Sequence, residues 1–181
     1  MAIPRLTIIG ESINDSVPST KALFDAGDLE GIVALATSQV EGGAAYIDVN
    51  VGSRGPDLMA EVVQRVQAAI DRPLSIDTPD PVLARAGLAA YSPQQAGGQK
   101  PILNSITVSR EEMWELYSVQ PFCPILLSTE ILVDGRPQEA RNAEQTYEAA
   151  RFLVGQARRR CPGITNADLI IDPGIVPIAS D

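Results

Sequence analysis

The chain has 181 residues, 45% of them hydrophobic and 20% charged, with a net charge of −9 and a pI near 4.5. That length is enough for the core of one domain, 1–181, and the acidic balance argues against nucleic acid or an anionic membrane as the main partner. Histidine is absent, which removes His triads, His metal sites and the commonest acid–base side chain. No apolar run reaches the roughly 18 residues of a membrane-spanning helix. Met1-Ala2-Ile3-Pro4-Arg5 lacks the layout of a signal peptide, so a cytoplasmic location is expected. Cys123 and Cys161 have no CxxC or Cys/His spacing and read as buried or half-buried free thiols.

In chain order, a first strand is expected over Leu6 to Gly10, running into a polar loop through Ser16-Val17-Pro18. Asp28 then caps a helix with an apolar face at three-to-four spacing, Leu29 to Val40, which Gly42-Gly43 stops. Ala45 to Asn50 reads as the second strand. Gly55-Pro56 opens a helix to about Asp71, with Leu58, Val62, Val63, Val66 and Ile70 inward. Leu74 to Asp77 is the third strand, and Pro79 and Pro81 suit the first turn of a helix carrying Val82, Leu83, Ala86 and Leu88.

Tyr91 to Lys100 is rich in turn residues and reads as a mobile surface loop. Strand four is expected over Pro101 to Ser105. A helix follows from Ser109, with Glu112 completing a capping box and Met113, Trp114, Leu116 and Tyr117 facing the core. Strand five covers Pro124 to Ser128, and a long helix runs from Pro137 to Arg160. Its Arg158-Arg159-Arg160 end complements the helix dipole. Asp168 to Asp172 is strand six.

Alternating strands and helices with short apolar strands indicate a parallel sheet covered by helices. An open doubly wound sheet and a (β/α)₈ barrel both fit this pattern. Gly10-Glu11-Ser12-Ile13-Asn14 is not the Gly-rich turn of a dinucleotide fold. Polar groups follow nearly every strand, whereas an open sheet gathers its ligands at one switch point. The expected fold is therefore an α/β (β/α)₈ TIM barrel, truncated after about six units, since a whole barrel needs about 250 residues. Ile175 to Asp181 reads as the beginning of a loop. Either the chain is part of a longer gene product or a second chain, such as another copy in a homo-oligomer, completes the barrel.

Residues just past the carboxyl ends of parallel strands share one rim. Glu11, Asn14, Asn50, Asp77, Asn104 and Asp172 occupy such places, without a lysine at any of these strand ends. Carboxylates there suit a ligand offering parallel N–H donors, and amides read mixed donor–acceptor edges. The rim thus suits a neutral, donor-rich planar heterocycle and not a phosphate. Local roles compete with this reading: Asp77 as a helix cap, Asp172 in an Asx turn, Asn50 and Asn104 satisfying loop backbone. Carboxylates binding Mg²⁺ or Ca²⁺ are a further alternative.

Five segments carry a resemblance: Gly10-Glu11-Ser12-Ile13-Asn14, Ile47-Asp48-Val49-Asn50-Val51-Gly52, Ser75-Ile76-Asp77-Thr78, Leu103-Asn104-Ser105-Ile106 and Ile171-Asp172-Pro173-Gly174. In this order the chain resembles the pterin-binding TIM barrels. Within them it is most similar to the methyltetrahydrofolate:corrinoid methyltransferases, including the folate module of cobalamin-dependent methionine synthase. The resemblance implies that Asp77, Asn104 and Asp172 hold the pterin ring, with Asn14, Asn50 and Glu11 at the rim. It implies an enzyme of one-carbon metabolism that moves the N5 methyl of methyltetrahydrofolate to a Co(I) corrinoid, a cobalamin-type cofactor, on a partner protein. It places an Asn that acts at N5 on a seventh strand, so no catalytic residue is assigned here. Dihydropteroate synthase is a neighbouring family. Its Gly-Gly-Glu-Ser-Thr-like run and its lysine after Asp-Pro-Gly are replaced here by Asn50-Val51-Gly52-Ser53-Arg54 and Ile175-Val176-Pro177-Ile178. A non-catalytic pterin-binding partial barrel is the remaining alternative.

Overall fold

The computed structural model describes residues 6–174, so the opening Met1 to Arg5 and the expected loop Ile175 to Asp181 lie outside the described residues. The chain forms two compact units, Met1–Ile102 and Leu103–Asp181.

In the first unit, β1 (Ile9–Asn14), β2 (Tyr46–Asn50) and β3 (Leu74–Asp77) lie side by side and parallel. The first strand departs from expectation: it begins later than Leu6 and continues through Asn14. Its continuation passes through a bulge: Gly10 pairs with Ile47 whereas Ile13 pairs with Val49, leaving one extra residue on β1. The backbone of Ser12 is satisfied off the ladder. Its N–H donates to Gln39 Oε1 at 2.8 Å, and its carbonyl accepts from Thr20 Oγ1 at 2.7 Å.

The expected loop is present but short, residues 15–17, and a helix not foreseen, α1 (Pro18–Ala26), follows it. Pro18 at its start leaves no N–H to satisfy, and Lys21 pairs with Asp25 one turn on at 3.2 Å. Asp28 caps α2 (Leu29–Glu41) as expected, accepting from the Gly31 N–H at 2.9 Å. Helix α3 (Pro56–Ala69) buries Met59, Val62, Val63, Val66 and Gln67. Helix α4 (Pro81–Ala90) buries Leu83, Ala84, Gly87 and Leu88 and leaves Val82 59% exposed. The connector from Tyr91, read as a mobile loop, is tied down. It contains a short 3₁₀ turn, Pro93–Ala96, with Ala96 fully buried, and Tyr91 Oη donates to the Gln99 carbonyl at 2.9 Å.

In the second unit the sheet runs β4 (Ile102–Ile106), β5 (Cys123–Leu127) and, later in the chain, the strand Ile170–Asp172. The helix expected from Ser109 is instead a 3₁₀ helix, Glu111–Ser118, without a side-chain cap. The cap position falls on Arg110, one residue past Ser109, whose hydroxyl donates to Glu130 Oε2 at 2.7 Å. Met113, Trp114, Leu116 and Tyr117 are buried as their spacing indicated.

The helix expected from Pro137 starts six residues later, as α5 (Ala143–Arg160) capped by Asn142. Pro137 belongs to an antiparallel hairpin, β6 (Glu130–Val133) and β7 (Arg136–Glu139). Its turn, Asp134-Gly135, has φ of 51° and 74°, the two positive angles of a tight hairpin turn that Asp-Gly favours. The three arginines occupy the last turn of α5, where Arg158 also donates to Asn166 Oδ1 at 2.9 Å and Arg160 to Glu111 Oε2 at 2.9 Å. Strand β8 (Ile170–Asp172) pairs with β5 in parallel, Leu127 opposite Asp172.

Candidate functional site

Strand alternation decides which side chains share a face. Ile76 packs against Gly87 of α4, whose added Cβ would lie 2.9 Å from Ile76 Cγ2, so Ser75 and Asp77 point to the face opposite that helix. Asp48 stands beside Ser75 in register, and both are buried. One pleat on, Asn14 pairs with Asn50, and Asp77 follows the Val49–Ile76 pair on the neighbouring strand. Asn14, Asn50 and Asp77 therefore form one half-buried row at the carboxyl ends of β1, β2 and β3.

Hydrogen bonds orient this row. Asn50 Nδ2 donates to Asp77 Oδ2 at 2.7 Å, while Asn50 Oδ1 accepts from the Gly52 N–H at 2.8 Å. The two bonds fix which end of the Asn50 amide faces the carboxylate. Asp77 does not cap α4: Asp80 does, accepting from the Val82 N–H at 2.7 Å. Asn14 Oδ1 accepts from the N–H and hydroxyl of Ser16 at 2.9 and 2.6 Å, closing an Asx turn. Glu11 is exposed on the bulged stretch of β1, three residues before the strand end where Asn14 stands.

The second unit carries the other two residues. Asp172 is the last residue of β8, and its Oδ1 accepts from the Gly174 N–H at 2.7 Å. Its backbone carbonyl accepts from both the N–H and hydroxyl of Ser128, at 2.8 and 3.0 Å. The Asx turn weighed from sequence is thus present, and it leaves the carboxylate held at a strand end. Asn104 is half-buried, in the middle of β4 rather than past its end, between buried Leu103 and Ser105 and with a cis peptide to Ser105. Among the described residues no group of three or more His, Cys, Asp or Glu is placed to hold a metal ion, and no helix is long and apolar enough to cross a membrane.

A family model described as pterin binding enzyme matches residues 13–180. The chain belongs to this family. One relative of this chain, the methylcorrinoid:tetrahydrofolate methyltransferase of Eubacterium limosum, is 27% identical over 188 residues, covering 97% of this chain and 63% of that protein. Among solved structures, dihydropteroate synthase from Xanthomonas albilineans in complex with 7,8-dihydropteroate matches with a TM-score of 0.62 at 22% identity. That match covers 97% of this chain and 61% of the other. The likeness to that structure carries the fold, an α/β barrel class of which this chain holds a truncated share. The chain spans less than two thirds of the length of either protein.

Sequence reading passed over Asp15 and Arg54 as parts of this region. Arg54 Nε donates to Asp15 Oδ1 at 2.8 Å, and its Nη2 donates to Asp25. Hydrogen bonds donated to Asp25 and then to Asp15 hold the Arg54 guanidinium above its ordinary pKa. No local signal could have revealed a pair 39 residues apart.

Proposed function

We propose that this chain binds a folate through Asp77, Asn104 and Asp172, with Asn14, Asn50 and Glu11 contributing at the rim. The single observation that supports this best is the Asn50–Asp77 hydrogen bond at 2.7 Å, at the end of adjacent parallel strands. A carboxylate already oriented by an amide meets the N–H and exocyclic NH₂ of a pterin as a fork, with no rotamer search on binding. Asp172 is held in a similar way by the Gly174 N–H, and Asn104 supplies a donor and an acceptor for the rest of the ring edge.

The reaction we assign is transfer of a methyl group between N5 of the folate and the cobalt of a corrinoid carried by a partner protein. From methyltetrahydrofolate, the methyl passes to Co(I), which supplies the electron pair of the new bond. N5 keeps the pair of the old bond and takes a proton. The name of the Eubacterium limosum relative is written in the opposite sense, and one site serves both directions by microscopic reversibility. Both matches cover 97% of this chain, but the methyltransferase relative is 27% identical against 22% for the synthase, which supports methyl transfer over dihydropteroate synthase-like condensation. The structural likeness at 22% identity speaks for the fold only.

Calorimetric titration with methyltetrahydrofolate tests the binding, wild type against Asp77→Ala. Binding by the wild type that Asp77→Ala abolishes is the expected result, and equal affinity would remove Asp77 from the site. Assaying pteroate formation beside methyl transfer to a corrinoid protein separates the two reactions.

A further inference from the structure

The loops that follow β1 and β2 are fastened to one another. Asp15, the first residue after β1, donates its N–H to the Asn50 carbonyl at 3.0 Å. Its carboxylate reaches Arg54 on the next loop at 2.8 Å, both side chains little more than a fifth exposed. The guanidinium continues to Asp25 on α1 and lies over the Phe24 ring, 5.4 Å from its centre. Between these groups sits Gly52, at φ 59°. A Cβ there would lie 2.5 Å from Asp15 Oδ2, so the Asp15 side chain rests directly on Gly52. Gly52 is the residue whose N–H fixes the Asn50 amide, and Asn50 in turn fixes Asp77.

We propose that Arg54 is a positioning residue for the folate: by drawing Asp15 onto Gly52 it holds the Gly52 N–H on Asn50, and through Asn50 it holds the Asp77 carboxylate in its binding orientation. This rests on the reading of Asp77 as a pterin ligand. Arg54 suits the task because its planar fork serves Asp15 and Asp25 in two directions while its charge lies over the Phe24 ring; a lysine ammonium lacks the fork. The clasp joins the loops beyond β1 and β2 to the end of α1, so its loss loosens the rim first.

The test is titration of the full chain with methyltetrahydrofolate, in wild type, Arg54→Met, Arg54→Lys, Asn50→Ala, Asp77→Ala and the Asn50→Ala/Arg54→Met pair, with thermal melts alongside. Arg54→Met should bind about tenfold more weakly, and Arg54→Lys should fall between it and wild type. In the Asn50→Ala background, Arg54→Met should add less than about twofold, because the link through which it acts is already gone. Wild-type affinity in Arg54→Met, or fully multiplied losses in the double variant, overturns the assignment. If Arg54→Met does not fold, Arg54→Lys with and without Asn50→Ala reads the same coupling. A merely structural role would lower the melting temperature without producing that coupling. Failure of the pterin reading looks different: Asp77→Ala would then match wild type, or wild type would not bind at all.

Discussion

Asn50 and Asp77 face one another from neighbouring parallel strands, the amide nitrogen 2.7 Å from the carboxylate oxygen. Because Gly52 occupies the other end of the Asn50 amide, the pair has one arrangement. Replacing Asn50 with Ala strips a charged acceptor of a donor, a loss on the order of 1.5–3 kcal/mol. We expect Asn50→Ala to weaken methyltetrahydrofolate binding by roughly ten- to a hundredfold while Asp77→Ala abolishes it. Both variants should keep wild-type circular dichroism, and calorimetry supplies the affinities.

The cap of α4 separates binding from folding. Asp80, not Asp77, accepts from the Val82 N–H, so Asp80→Ala should cost about 1 kcal/mol of stability and leave folate affinity unchanged. Urea unfolding of the two Asp variants, compared with their binding, makes the distinction. An Asp80→Ala protein of full stability would show that the cap contributes nothing.

Gln67 is 3% exposed and exchanges two hydrogen bonds with Ser92: its Nε2 donates to the Ser92 carbonyl at 3.1 Å, and its Oε1 accepts from the Ser92 N–H at 2.8 Å. Gln67→Ala would leave both backbone groups without those partners, with a destabilisation of about 2–3 kcal/mol expected. Amide hydrogen exchange should speed up over Tyr91 to Lys100 in the same variant. Unchanged protection there would mean that the connector is held by other contacts.

Cys161 is 1% exposed, and burial pushes its thiol up to about 11 from 9.0. Between those two pH values the folded state keeps a proton that the unfolded state releases. Stability should therefore fall as pH rises through this window. At neutral pH iodoacetamide should modify half-buried Cys123 and spare Cys161 until the chain is unfolded. Mass spectrometry of the labelled native protein checks this, and a doubly labelled folded chain would contradict it.

Asp25 behaves in the opposite sense. Hydrogen bonds from Arg54 first, and then Lys21, hold its carboxyl below the ordinary 3.8. The stability this contributes is present above pH 3.8 and is lost as pH falls through the lowered value. Acid unfolding of Asp25→Asn should accordingly be less steep than that of wild type, with the difference confined to pH below about 4.

The alternation of strand and helix, the capping by Asp28, the strand Leu74–Asp77 and the buried face of α3 were legible in the sequence, because each depends on residues within a turn or two of one another. The hairpin β6–β7 was legible too, in Asp134-Gly135, but the helix read over Pro137 hid it. The five motif segments located Asn14, Asn50, Asp77, Asn104 and Asp172 by their place after or within apolar runs, and the family match over residues 13–180 agrees with that resemblance. What no local pattern encodes is pairing at a distance. The bulge that carries Glu11 away from the strand end depends on Gln39 taking up the Ser12 N–H, 27 residues away. The orientation of Asp77 depends on Asn50, and the Arg54 clasp on Asp15 and Asp25. Hydrogen-bond partners across strands and loops are chosen by geometry that exists only once the chain has folded, so tertiary structure alone decided them.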